Sequence, residues 1–179
     1  MRVWGLAVAV AAALLAATSG AHAGGSSNGA TNSDFALNDP SYLMVGAGSW
    51  EVARDNLRTY ELDAALRPDA HLWVIKPQFG LTVAGDGDVL LYAGPLIDYN
   101  LTKHWVVSGS TSAGYWTSGG FNLGSHLEFR SGAEVAYRWN NGVRLGVGFY
   151  HTSNADITRR NPGSESALIE YSIPLKLGF

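Results

Sequence analysis

His151, Thr152 and Ser153 close one alternating segment of this chain, and Glu165 opens another. The odd-numbered residues Val143, Leu145, Val147 and Phe149 are apolar, and His151 and Ser153 continue their parity. Counting forward from Glu165, the odd positions are Ala167, Ile169, Tyr171, Ile173, Leu175, Leu177 and Phe179. Residues two apart on a strand share a face, so a base, a hydroxyl and a carboxylate stand at the end of an otherwise apolar surface. A serine hydroxyl becomes a competent nucleophile when a neighbouring base removes its proton, and histidine can do this near neutral pH. Cα atoms two apart on a strand are about 6.5–7 Å from each other, so the two side chains can lean together. The base needs a third group to fix its tautomer and stabilise the imidazolium. Ser153, His151 and Glu165 thus have the residue types for acyl transfer from an ester to water, as nucleophile, general acid/base and orienting carboxylate. An oxyanion hole is also required, with Asn154, Asn161 or main-chain N–H groups of segment 154–163 as candidates. The bland reading is that His151 and Ser153 mark the headgroup boundary of a lipid-facing strand, where polar side chains cost only about 0–1 kcal/mol.

The elements that must position these residues read as an all-β, eight-stranded antiparallel transmembrane barrel of the bacterial outer membrane. Residues 1–23 have the pattern of a secretory signal: Arg2, an apolar run from Val3 to Ala17, and the small-x-small site Ala21, His22, Ala23. Residues 24–40 are polar, rich in Gly, Ser and Asn, and read as a flexible tail ahead of a barrel over 41–179. The chain has no cysteine, which excludes disulfides and thiolate chemistry. A net charge of −3 leaves no electrostatic footprint for nucleic acid. Only 15% of the residues are charged, yet the mean hydropathy is +0.01, far from that of a helical membrane protein. With 22 Gly, 6 Trp, 8 Tyr and 6 Phe, the composition suits a barrel whose strands face lipid on one side only.

Candidate strands run over 42–52, 57–66, 71–83, 88–101, 103–115, 125–139, 142–153 and 165–179. In the third, Trp73, Ile75, Phe79, Leu81 and Val83 oppose Lys76, Gln78 and Thr82. In the sixth, Leu127, Phe129, Val135, Tyr137 and Trp139 oppose His126, Glu128, Arg130, Glu134 and Arg138. A face of mixed charge belongs inside the barrel, paired with Asp98, Arg144, Glu170 and Lys176, because buried ions demand partners. A soluble barrel with its faces reversed would leave the aromatic-rich face in water. Tight turns at 67–69, 101–103 and 140–142 alternate with longer connections at 84–87, 116–124 and 154–164, as in barrels with short periplasmic turns and longer external loops. This places His151 and Ser153 towards the outer leaflet. A three-residue turn ending in Gly142 pairs Trp139 with Val143, and so Phe129 with Ser153 and Ser131 with His151. Phe129 is then an aromatic contact for an acyl chain. Trp105, Trp139 and Tyr99 are placed as interface girdles are. An eight-stranded barrel is too narrow for an open channel.

The segment His151, Thr152, Ser153, Asn154, Ala155, followed by Asn161, Pro162, Gly163, Ser164, Glu165 and a strand ending Tyr171, Ser172, Ile173, Pro174, resembles the lipid A 3-O-deacylase (PagL) family, also called acyloxyacyl hydrolases. The resemblance covers roughly 42–179 and is most specific over 150–165. It implies an outer-membrane barrel that removes an ester-linked acyl chain from lipid A, with a Ser-His-Glu triad on the lipid-facing side. The family's His, Ser and Glu fall on His151, Ser153 and Glu165, and its asparagines on Asn154, implied at the oxyanion hole, and Asn161. Asp156 departs from the pattern, which leads one to expect a small residue after Ala155. Arg159 and Arg160 are candidates for binding the phosphates of lipopolysaccharide. No cofactor or metal is implied, and no loop carboxylates show metal-ligand spacing. Taken without the resemblance, the residues also allow a non-catalytic structural or adhesive barrel, or an esterase for glycerophospholipid. Whether the barrel forms a homodimer is left open.

Overall fold

A computed structural model describes residues 34–85 and 87–175. The expected signal segment, most of the polar tail, Lys176 and the closing aromatic Phe179 lie outside them. The strands are β1 (Asp34–Phe35), β2 (Ser41–Trp50), β3 (Thr59–Arg67), β4 (Lys76–Ala84), β5 (Val89–Asn100), β6 (Trp105–Thr117), β7 (Leu127–Arg138), β8 (Arg144–Ser153) and β9 (Ser164–Leu175). Each of β2 to β9 pairs antiparallel with its sequence neighbour, and β2 also pairs with β9, which closes an eight-stranded barrel. Closure pairs every strand of β2 to β9 on both sides, the condition for β-structure to cross a bilayer. Among the described residues no α-helix occurs; the one helical turn is the 3-10 segment Asp55–Leu57.

Alternation decides which way each side chain points. Outward positions form an apolar belt, with Val147 63% and Ile169 64% exposed, joined by Leu43, Leu62, Phe79 and Leu91. Inward positions carry ions of both signs. Arg67 bridges Glu134 (2.7 Å) and Glu170 (3.5 Å), Arg130 meets Asp63 (2.9 Å) and Glu61 (3.1 Å), and Asp98 meets Arg144 (3.1 Å) and Lys76 (3.6 Å). Each of these groups faces a charge of opposite sign, which is what makes such burial tolerable. Towards the end that carries His151 the interior becomes apolar. Trp50 and Trp116 stack 5.2 Å apart there, with Leu90, Leu123 and Phe121 around them.

The connection 139–143 fulfils the three-residue expectation. Trp139 N–H donates to Val143 O (2.9 Å), Gly142 N–H donates to Trp139 O (3.0 Å), and Gly142 has φ +86°. Arg138 is thereby opposite Arg144, and Phe129 opposite Ser153.

Four expectations are corrected. The third strand begins at Lys76, not 71, because Leu72 and Ile75 bridge to each other across a small hairpin with Trp73 at φ +58°. Trp73 is consequently an exposed turn residue. Segment 68–75 is therefore no tight turn, and 85–88 is as short as 101–104, so loop length alternates less cleanly than the sequence suggests. His126 does not face the interior. It precedes β7, accepts exposure at the rim and stacks on Tyr115 with ring centroids 5.3 Å apart. Finally, part of the polar tail is built into the barrel. β5 extends past the start of β4, leaving an open edge that Asp34 and Phe35 pair with, opposite Asn100 and Tyr99. Asp39 then reaches both Arg138 and Arg144.

Candidate active site

β8 and β9 bring the expected residues together from two ends of their loop. His151 is directly opposite Glu165 across the ladder. The alternation set by inward Tyr150, Thr152 and Ser166 turns His151, Ser153 and Glu165 to the outer side of the wall. His151 Nδ1 lies 3.3 Å from Glu165 Oε1, at the long end of hydrogen bonding. The two side chains are 28% and 18% exposed, so neither is fully desolvated. Ser153 is buried, 4% exposed, despite its outward parity. Among the described residues Ser153 makes no hydrogen bond with His151, although the two lie two residues apart on one face. Catalytic hydrogen bonds are often loose before substrate binds.

The loop after Ser153 is held rigidly. Ile157 N–H donates to Asn154 O (3.1 Å), and the two residues between, Ala155 and Asp156, have φ +56° and +63°. Positive φ at both central positions defines a type I′ turn. Asp tolerates that conformation, whereas Ala is ill suited to it. Asn154, expected at an oxyanion hole, uses its donors elsewhere. Its Nδ2 donates to Leu123 O (3.1 Å), Thr158 Oγ1 (3.0 Å) and Arg160 O (2.8 Å), and its main-chain N–H donates to Asn161 Oδ1 (3.0 Å). Asn161 Nδ2 in turn donates to Asp156 Oδ1 (2.8 Å). Both asparagines therefore orient the loop. Among the described residues the main-chain N–H groups of Ala155 and Asp156 have no acceptor, and they are the donors left beside Ser153.

Phe129 stands opposite Ser153 and half-buried, as the register requires. Arg159 and Arg160 are exposed in the same loop, and among the described residues neither meets a carboxylate; Arg160 Nε donates to Asn122 O (3.0 Å). A shallow apolar hollow lined by Leu72, Ile75, Pro77, Phe79 and Pro95 lies at the far end of the barrel and contains none of these residues. Among the described residues no group of three or more His, Cys, Asp or Glu side chains could hold a metal ion.

Sequence reading missed Arg54 and Glu51, in the connection between β2 and β3. Arg54 Nη2 donates to Gly163 O (2.5 Å) and meets Glu51 Oε2 (2.5 Å), while Val52 N–H donates to Glu165 O (2.9 Å). Nothing in the periodicity of that segment marks it, since the bond from Arg54 to Gly163 crosses 109 positions of chain.

A closed barrel with an apolar belt outside and paired ions inside defines an integral β-barrel protein of the outer membrane. A family model described as lipid A 3-O-deacylase (PagL) matches residues 58–174, and the chain belongs to this family of carboxylic ester hydrolases. Among solved structures the chain is similar to the outer membrane enzyme PagL, at 23% identity and a TM-score of 0.60, covering 75% of this chain and 99% of that one. It is also similar to a chain from the de novo design of transmembrane β-barrels, at 15% identity and a TM-score of 0.57, covering 76% and 95%. Among curated proteins none matches.

Proposed function

We propose that this family member acts through Ser153, His151 and Glu165, on the lipid-facing side of the barrel at the outer leaflet, to hydrolyse the ester-linked 3-position acyl chain of lipid A. The observation that carries the reading is the His151–Glu165 pair, in register across β8 and β9 and 3.3 Å apart, on the same outward face as Ser153. With Nδ1–H donating to Glu165, Nε2 is the basic nitrogen. It takes the proton of Ser153 Oγ as that oxygen attacks the ester carbonyl. The main-chain N–H groups of Ala155 and Asp156 donate hydrogen bonds to the developing oxyanion, without reorganisation because the turn already holds them. The imidazolium then protonates the departing sugar oxygen. Water, deprotonated by the same nitrogen, releases the fatty acid from Ser153. Phe129 contacts the acyl chain, and Arg159 and Arg160 meet the phosphates.

Purified barrel incubated with lipid A and, separately, with glycerophospholipid tests this. Release of free 3-hydroxy acid from lipid A alone, read by mass spectrometry, is expected. Ser153→Ala should keep the folded barrel's gel mobility and lower the release by several orders of magnitude. Equal release by wild type and Ser153→Ala overturns the assignment, and release from glycerophospholipid instead reassigns the substrate.

A further inference from the structure

The imidazole of the proposed triad is confined by main chain on its outer edge. Gly163 has φ +64°, and a Cβ built on it would lie 2.8 Å from His151 Cε1 and 3.5 Å from Nε2. The backbone at 163 thus forms a wall against the edge of the ring that must deliver and collect the proton. What fixes this wall is a side chain from another loop. Arg54 Nη2 donates to Gly163 O (2.5 Å). The same nitrogen meets Glu51 Oε2 (2.5 Å), and Glu51 is fully buried. The guanidinium also lies over the Phe121 ring, 5.1 Å from its centroid, a contact that restrains it further. Hydrogen bonding to Glu51 raises the Arg54 pKa despite the cost of burial, so the charge is permanent. One residue further along, Val52 N–H holds the carbonyl of Glu165 (2.9 Å).

We propose that Arg54, anchored by Glu51, is a positioning residue that acts through Gly163 to hold the His151 imidazole in its working orientation. The proposal rests on the reading of His151 as general acid/base. Arg54 touches neither substrate nor reacting atoms; it removes the freedom of the segment 161–165 to drift away from the ring. A misplacement of about 1 Å in such a constellation lowers a rate by about 10²-fold.

The experiment uses the full-length barrel in lipid, with Arg54→Met, Arg54→Lys, Glu51→Gln and the neighbouring control Arg58→Ala. Lipid A deacylation gives kcat and KM, and nitrogen-15 signals of labelled histidine report the His151 tautomer. Arg54→Met is expected to lower kcat about 10²-fold with KM near the wild-type value, and to broaden or shift the His151 ring signals. Arg54→Lys, which keeps a cationic donor, should recover most of the rate, and Arg58→Ala should match wild type. Full kcat in Arg54→Met, or a lowered kcat with unchanged ring signals, overturns the proposal. If Arg54→Met does not fold, Glu51→Gln is read the same way, and failure of both to fold assigns the pair to barrel stability and overturns it too. Ser153→Ala run in parallel separates the two readings. An active Ser153→Ala sinks the triad itself, whereas an inactive one beside a fully active Arg54→Met sinks only the part assigned to Arg54.

Discussion

Gly163 shows how much of the proposed site depends on a residue without a side chain. Gly163→Ala would force a methyl group onto the His151 ring and also place Ala at φ +64°. The backbone penalty is about 1–2 kcal/mol, which a barrel of this closure can absorb. The ring displacement is expected to lower deacylation about 10²-fold, measured as fatty-acid release by protein whose gel mobility shows a folded barrel. Wild-type release would show that the ring has room to spare. At this scale the sequence spoke clearly about types and parity: His151, Ser153 and Glu165 were legible because polar residues interrupted an apolar face. It was silent about Arg54, whose contact with Gly163 arises only when two loops distant in sequence fold over the same mouth, although its partner Glu51 is only three residues away. Of the two roles the sequence allowed Asn154, oxyanion donor or loop orientation, its amide contacts favour the second. The acceptors that engage its amide come from Leu123, Thr158 and Arg160, partners that adjacency to Ser153 does not reveal.

Between β7 and β8, a single left-handed glycine sets the register of the whole hairpin. The turn at 139–143 needs its odd residue, because a shift by one would set inward positions against outward ones along the ladder. Deleting Asn141 should therefore prevent Arg144 from reaching Asp98 and Glu165 from meeting His151 together. The expected result is loss of the folded form's gel mobility on refolding into lipid. A barrel that still folds and deacylates would mean that the register is fixed elsewhere. Alternation was legible for the strands themselves, since period two is strong when one face meets lipid and the other ions. It failed at 71–75, where Trp73 and Ile75 continue the apolar parity but belong to a separate small hairpin. Periodicity cannot see a change of partner. His126 failed likewise: one residue before β7, its ring is free of the wall's parity and stacks on Tyr115.

For the whole molecule, interior ions take the place of a hydrophobic core except at the end capped by Trp50 and Trp116. Arg67 contacts Glu134 and Glu170 at once, and Tyr150 Oη donates to the second (2.6 Å). Arg67→Met would strand two buried carboxylates, and breaking such a pair costs about 3–5 kcal/mol. Urea unfolding of the barrel in bilayers should show that loss, while the folded fraction deacylates normally, because Arg67 is remote from β8's outer end. An unchanged unfolding midpoint would mean that other cations, such as Arg130, take over. The same filled interior, with the proposed triad turned to the opposite side of the wall, has a kinetic meaning. Enzyme and substrate are fellow residents of one sheet of lipid, so they meet by sideways drift in two dimensions. What governs turnover is then the fraction of neighbouring molecules that carry the right ester, not any concentration in the surrounding water.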